Sequence, residues 1–169
     1  MSKNKQQYFL SLYKPIHERF SRYCRAHAFY DMPCEDLINE SLLIAFKKMD
    51  DLKNEEAFLS FLIGITKKIV ANARRKKKAG TVADELVLTQ YPDPNNQIEQ
   101  KAEIERLYQG LAQLPDAQRE AIILFEITGF SIKEITQLQN SSESAVKQRL
   151  ARGRKALASI IKNNLSIKR

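Results

Sequence analysis

Residues 114–157, LPDAQREAIILFEITGFSIKEITQLQNSSESAVKQRLARGRKAL, leave little conformational choice. Ser131 precedes an apolar-spaced run and Glu134 follows three positions later, the arrangement in which a serine hydroxyl and a glutamate carboxylate satisfy each other's backbone amides at a helix start. The helix they open is short, from Ile132 to about Leu138. Asn140 follows, and asparagine tolerates a left-handed turn better than other side-chain-bearing residues. Ser142 then caps a longer, basic helix. An earlier helix, about Asp116 to Ile127, stops at Gly129. A short helix, a tight turn and a longer helix spell a helix-turn-helix, whose second helix lies in a DNA major groove. Helical spacing puts Val146, Leu150, Gly153 and Leu157 on one stripe, facing the core. Ser144, Gln148, Ala151 and Lys155 fall on the opposite side, flanked by Lys147 and Arg152.

The rest of the chain is also read as helical. Its apolar residues recur at threes and fours with little alternation, and glycine and proline number only five each among 169 residues. The expected fold class is therefore all-α: two small helical domains joined by an acidic linker, the second containing the helix-turn-helix. The net charge of +8 and pI near 9.5 call for a polyanionic partner, nucleic acid or an acidic membrane surface. No run approaches the roughly eighteen apolar residues of a membrane span. The N-terminus MSKNKQQYFLSLYKP has neither the apolar core nor the cleavage site of a signal peptide, so a cytoplasmic protein is expected. Cys24, His27 and Cys34 lack a convincing fourth zinc ligand, His17 being the only other histidine. The cysteines are read as buried thiols, and no metal or cofactor is expected.

In order, Tyr8, Phe9, Leu12, Tyr13, Ile16, Phe20, Tyr23 and Ala26 or His27 mark one or two amphipathic helices over residues 6–30, with Pro15 starting a helix. Asp31-Met32-Pro33 breaks the chain. Residues 34–49 form a helix with Ile38, Leu42, Ala45, Phe46 and Met49 on its core face. Its far side carries Asp36, Glu40, Leu43 and Lys47, and a leucine among charges is a modest sign of a protein-binding surface. Met49–Glu56 is an acidic, polar loop. Residues 56–78 make a long helix with Phe58, Phe61, Leu62, Ile65 and Ile69 inside. From Lys67 to Lys78 every charged residue is positive, with Lys67 and Arg74 opposite the core and Lys68 and Arg75 to the side. Phosphates are the natural partner for such a helix end. Residues 79–97 lose basic charge and gain Asp84, Glu85, Asp93, Pro92 and Pro94, marking a linker in which Val82, Leu86, Val87 and Leu88 are apolar enough to dock on a partner. Residues 97–113 begin the second domain, with Ile98, Ala102, Ile104, Leu107, Tyr108 and Leu111 packing on the helix-turn-helix.

The C-terminal segment resembles the promoter-reading region of bacterial RNA polymerase sigma factors of the small extracytoplasmic-function type. The likeness is carried by Leu114-Pro115, Gln118-Arg119-Glu120, Gly129-Phe130-Ser131, Glu134-Ile135, Ser142-Glu143, Val146-Lys147, Arg149-Leu150 and Arg152. In that family glycine is usual at Asn140, an aliphatic at Ser141 and threonine at Ala145. The resemblance extends forward. Asp36-Leu37-Ile38-Asn39-Glu40 looks like the segment that grips the clamp helices of the polymerase's largest subunit, with Asn39 in place of the usual glutamine. Ala57–Lys78 looks like the helix that melts and reads the −10 element. Phe46 and Phe61 stand where tryptophan is usual, and Lys68 replaces a common asparagine.

The resemblance implies a sigma factor that binds core RNA polymerase and directs promoter-specific initiation. It assigns residues 1–79 to polymerase binding and −10 melting, 80–95 to the linker, and 96–169 to −35 binding. It places −35 contacts at Ser144, Lys147, Gln148, Arg149, Arg152 and Lys155, −10 contacts at Lys67, Lys68, Arg74 and Arg75, and polymerase contacts at Asp36, Asn39, Glu40 and Leu43. The acidic loop would help hold a flipped −10 base. The implied partners are core polymerase, through clamp helices and flap, and promoter DNA, but no membrane. An anti-sigma factor is a further partner that the sequence does not specify. So is a DNA-targeting partner, which small side chains at Ser144 and Ala145 would require if −35 reading is weak. The competing reading is a helix-turn-helix regulator that binds duplex without joining a polymerase. An enzyme is not expected, because no phosphate-cradling glycine loop, His-Glu-x-x-His or nucleophile-base pair is present.

Overall fold

The computed structural model of the chain describes residues 2–80 and 98–167, and every regular element among them is helical. Two compact units divide the chain, Met1–Thr89 and Gln90–Arg169. The apolar and acidic residues singled out in 81–97, from Val82 to Pro94, lie outside the described residues.

In the first unit α1 (Ser2–Tyr13) leads through a 3-10 turn, Lys14–Ile16, into α2 (His17–Asp31). Pro15 occupies the first turn of that 3-10 segment, and α-helical bonding resumes only at His17. It therefore interrupts the α-helical run as well as starting a helical turn. Met32 is extended and Pro33 opens α3 (Cys34–Lys47). A 3-10 turn at Met49–Asp51 and another at Glu55–Ala57 lead into α4 (Phe58–Lys78), which gives way to Gly80 at φ +70°. Helices α2, α3 and α4 pack on one another. Phe20, Tyr23, Leu37, Phe58, Leu62 and Ile63 are fully buried between them.

The core face of α3 is turned from the expected one. Its centre is Cys34, Leu37, Ser41 and Ala45, while Ile38, Leu42 and Phe46 sit half-buried at its edge. A buried serine is tolerated there because Ser41 Oγ lies 2.9 Å from Thr66 Oγ1 across the α3–α4 seam. Thr66 spends its own hydrogen on the Leu62 carbonyl at 2.9 Å, so Ser41 is the donor in the pair and both hydroxyls are satisfied. Helix α4 buries a wider and slightly rotated face: Phe61, expected inside, is only half-buried, while Leu59, Ile63, Thr66 and Val70 are buried beside Phe58, Leu62, Ile65 and Ile69. Phe9 of α1 closes the bottom of this core, meeting Phe46 and Phe58 edge-on at 5.5 and 5.4 Å. Tyr8, expected in the same stripe, is instead 44% exposed and donates its hydroxyl to Glu55 Oε1.

Cys24 and Cys34 are buried and free. Burial first, and then the neighbouring Cys34, holds the Cys24 thiol far above the usual range. Burial pushes Cys34 up to about 11, against the pull of Arg25. Neither supplies a reactive thiolate near neutral pH.

In the second unit α5 (Ile98–Ala112) is followed by α6 (Asp116–Ile122), a π-helical turn at Ile123–Ile127, α7 (Ile132–Leu138) and α8 (Glu143–Ser166). Helices α5, α6 and α7 all pack on α8. The expected stripe of α5 is met in part: Leu111 is buried, Leu107 and Tyr108 are half-buried, and Ile104 turns outward. The widened turn after α6 ends where Thr128 N–H reaches Ile123 O and Phe130 N–H reaches Leu124 O, both at 2.9 Å, around Gly129 at φ +80°. A side chain is strained at that φ, so the glycine is where the helix can stop. Gly153 serves a different need. A Cβ there would lie 2.7 Å from Ile122 Cδ1 and 3.4 Å from Gln118 Cβ, so its absence lets α6 and α8 approach closely.

Candidate nucleic-acid interface

The start of α7 has the expected reciprocal cap. Ser131 Oγ accepts from Glu134 N–H at 3.2 Å, and Glu134 Oε2 accepts from Ser131 N–H at 2.8 Å. Asn140 adopts φ 47°. Around it, Ser141 N–H donates to Thr136 O at 3.0 Å and Asn140 N–H donates to Gln137 O at 3.4 Å, a pairing that satisfies the last carbonyls of a helix. Ser142 Oγ then accepts from Ala145 N–H at 3.1 Å and launches α8. Because Asn140 carries a side chain into the left-handed region, Asn140→Gly should raise the melting temperature slightly. Asn140→Val should cost about 1–2 kcal/mol. Thermal unfolding of the two variants checks both signs.

On α8, Val146, Leu150 and Gly153 are buried and Leu157 is half-buried. Ser144, Lys147, Gln148, Ala151, Arg152 and Lys155 are all exposed. Glu143, Ser144, Lys147, Gln148 and Ala151 line one shallow hollow on this face. Two features of this face go beyond helical spacing. Glu143 joins the face and pairs with Lys147 at 2.8 Å, one helical turn on. The hydrogen bond from Lys147, and then its charge, holds the Glu143 carboxyl below its ordinary range. The positive charge of Lys147 is thus locally balanced, leaving Arg152 and Lys155 as the dominant cations of the face. Second, Arg149 does not lie with the other five predicted contacts. It is half-buried, and its Nη1 donates to Gln139 Oε1 at 2.9 Å and to Ser141 Oγ at 2.8 Å.

In the first unit, Lys68 and Arg75, expected to the side of the core face, are the exposed pair, whereas Lys67 and Arg74, expected opposite the core, are half-buried because the buried face of α4 is wider than the spacing implied. Arg75 donates to Asn72 Oδ1. The predicted polymerase contacts come together on the outer side of α3: Asp36, Asn39, Glu40 and Leu43 are all exposed, Leu43 at 55%. Leu43 is one of several exposed large apolar side chains, Leu10 and Ile167 being more exposed still, so its neighbourhood of carboxylates and an amide is what singles out this face as a candidate protein-binding surface.

The acidic loop has more structure than its composition suggests. Asn54 Oδ1 accepts from Ala57 N–H at 2.7 Å and caps the turn into α4. Helix α1 clasps the loop at two points, Tyr8 to Glu55 at 2.9 Å and Lys5 to Asp50 at 3.6 Å. Lys5 also sits 5.6 Å over the Phe46 ring. The sequence offered no signal for these pairings, because their partners lie more than forty positions apart.

A family described as sigma-70, region 4, matches residues 104–157, the span from α5 through most of α8. The RNA polymerase sigma factor NccH of Alcaligenes xylosoxydans xylosoxydans is 25% identical over 137 residues, covering 77% of this chain and 74% of that protein. The extracytoplasmic-function sigma factor SigM of Mycobacterium tuberculosis is 25% identical over 153 residues, covering 90% and 76%. The sigma-E factor of Escherichia coli K12 is 27% identical over 139 residues, covering 75% and 72%. Among solved structures, the fold matches CnrH in complex with the cytosolic domain of CnrY, with a TM-score of 0.70 and 19% identity over 94% of this chain and 90% of the other. It also matches the sigma factor RpoE in complex with the anti-sigma factor NepR from Bartonella quintana, with a TM-score of 0.72 and 20% identity over 95% and 98%.

Proposed function

We infer that this chain, an RNA polymerase sigma factor of the extracytoplasmic-function type, binds core RNA polymerase and directs it to promoters. The observation that carries the reading is the span of the likeness. Its relatives match 75–90% of the chain, across both units, and each of the three is a sigma factor. A regulator that merely shared a helix-turn-helix would match the second unit alone.

The division of labour is as follows. The outer side of α3, with Asp36, Asn39, Glu40 and Leu43, is the surface for the polymerase clamp helices. The basic side of α4, with Lys67, Lys68, Arg74 and Arg75, follows the −10 phosphates as the duplex opens. The clasped loop at Met49–Ala57 sits beside α4, where an extruded base would need a pocket to offset the few kcal/mol of unstacking. The exposed side of α8 reads −35 duplex through Ser144, Gln148, Arg152 and Lys155, with Lys147 recruited when phosphate displaces Glu143. The reading assigns no catalytic step to the chain and places it in the cytoplasm with its polymerase. No helix among the described residues is long and apolar enough to cross a membrane. Both matched structures contain a bound second protein, which supports an anti-sigma factor as a further partner.

Size exclusion of the chain with bacterial core RNA polymerase at moderate salt tests this. Stoichiometric co-elution supports it, and tight dimeric binding to free duplex without co-elution overturns it. Within the complex, Gln148→Ala with Lys155→Ala should weaken duplex binding by about 1–3 kcal/mol if either makes a good base contact. A filter-binding titration of the complex reads this, and a loss of stability alone would identify packing residues instead.

A further inference from the structure

We propose that Arg149 is a positioning residue for the duplex-reading face of α8, the keystone of a polar brace with Gln139 and Ser141, rather than one of the duplex contacts. The proposal rests on the reading of α8 as the −35 helix and concerns how that helix is held.

The brace is a closed set of bonds. Ser141 Oγ donates to Gln139 O at 2.9 Å, which leaves its lone pairs free to accept from Arg149 Nη1. The Gln139 side chain accepts from the same nitrogen through Oε1 and donates through Nε2 to Ala117 O at 3.1 Å. One guanidinium therefore ties the second turn of α8 to the turn before it, and through Gln139 to the first turn of α6. Each acceptor has its donor, so the network is satisfied, and a satisfied polar network fixes one arrangement.

The turn explains why such a device is needed. Ser141 is the residue whose amide closes the end of α7 onto Thr136 O. That position commonly carries an apolar side chain that packs back on the helix it terminates. A serine provides no such packing, and Asn140 before it holds a strained φ of 47°. The turn thus lacks the apolar latch and has a less permissive residue at its hinge. The bonds from Arg149 take the place of that latch. Ser144 and Gln148 project from the two turns of α8 that follow, so an error in this angle is carried directly to the base-reading side chains.

The test uses the chain assembled with core RNA polymerase and a short duplex selected by the wild-type complex from a randomised pool. Affinity is measured against salt for that duplex and for a scrambled one, and thermal unfolding is measured on the chain. Arg149→Met and Gln139→Ala should each lower the preference for the selected duplex about tenfold, the scale of a lost charge-assisted hydrogen bond. The slope of affinity against salt should not change, and the double variant should be no worse than Arg149→Met alone. Adding Ser141→Leu to Arg149→Met should restore part of the preference by supplying the apolar latch. If Arg149→Met instead shallows the salt slope by about one phosphate contact while Gln139→Ala is neutral, Arg149 is a backbone contact and the proposal fails. It fails equally if the variants lower only the melting temperature and leave the preference intact. A wild-type complex that selects no duplex would overturn the −35 assignment of α8, and the brace with it, a result distinct from either.

Discussion

Glu40→Arg should abolish co-elution of the chain with core RNA polymerase. Glu40 stands exposed on the outer side of α3, one turn from Asp36 and beside Leu43, with no role in the packing of α3 against α2 and α4. Reversal of a charge at the centre of an acidic contact removes an attraction and adds a repulsion. Like-charge juxtaposition across an interface costs several kcal/mol, so a loss of about a hundredfold or more in affinity is expected. Because the side chain is solvated, the melting temperature should stay close to that of the wild type. A surface substitution of this kind usually changes stability by no more than about 0.5 kcal/mol. Unchanged polymerase affinity would remove α3 from the interface.

Leu62→Ala should have the opposite signature, a large loss of stability with polymerase binding lost only as a consequence. Leu62 is wholly buried in α4, in the seam shared with α2 and α3. Its carbonyl also accepts the hydroxyl of Thr66, which itself accepts from Ser41. Truncation leaves a cavity next to a hydrogen-bonded pair that cannot move without breaking, so collapse into the space is limited. A cost of about 2–5 kcal/mol follows for a leucine-to-alanine change of this kind. Against a total stability of about 5–15 kcal/mol this is a large fraction. Denaturant unfolding should show a lower midpoint with little change in slope. A cost below about 1 kcal/mol would mean that α4 is not the centre of this core. The two variants together separate recognition from folding, since one should lose binding while still folded and the other should bind whenever it is folded.

Much of this was legible in the sequence because local chemistry decided it. Ser131 with Glu134, Gly129, Asn140 and Ser142 each act within a few residues of themselves, and each does what its side chain dictates. The exposed and buried sides of α8 followed from helical spacing, since α8 packs along one side only. Spacing failed where burial depended on a partner far along the chain. Ser41 looks like a surface residue until Thr66 is brought opposite it. Tyr8 looks like a core aromatic until Glu55 offers its hydroxyl a partner outside. Arg149 reads as another cation on a basic helix, and only the folded turn shows its guanidinium bonded to Gln139 and Ser141. Charge composition likewise gave the sign of the α8 face but not the pairing of Glu143 with Lys147 within it. The linker expected at 80–95 lies, apart from Gly80, outside the described residues, and its assignment rests on composition.

The most direct measurement is initiation itself. Core RNA polymerase alone and polymerase reconstituted with the chain are given the same pool of randomised promoter-length templates, and the 5′ ends of the transcripts are sequenced. With the chain present, starts should concentrate at fixed positions downstream of shared sequence elements, and Glu40→Arg should abolish them. If the starts are the same with and without the chain, and the chain instead binds free duplex as a dimer, it is not a polymerase specificity subunit.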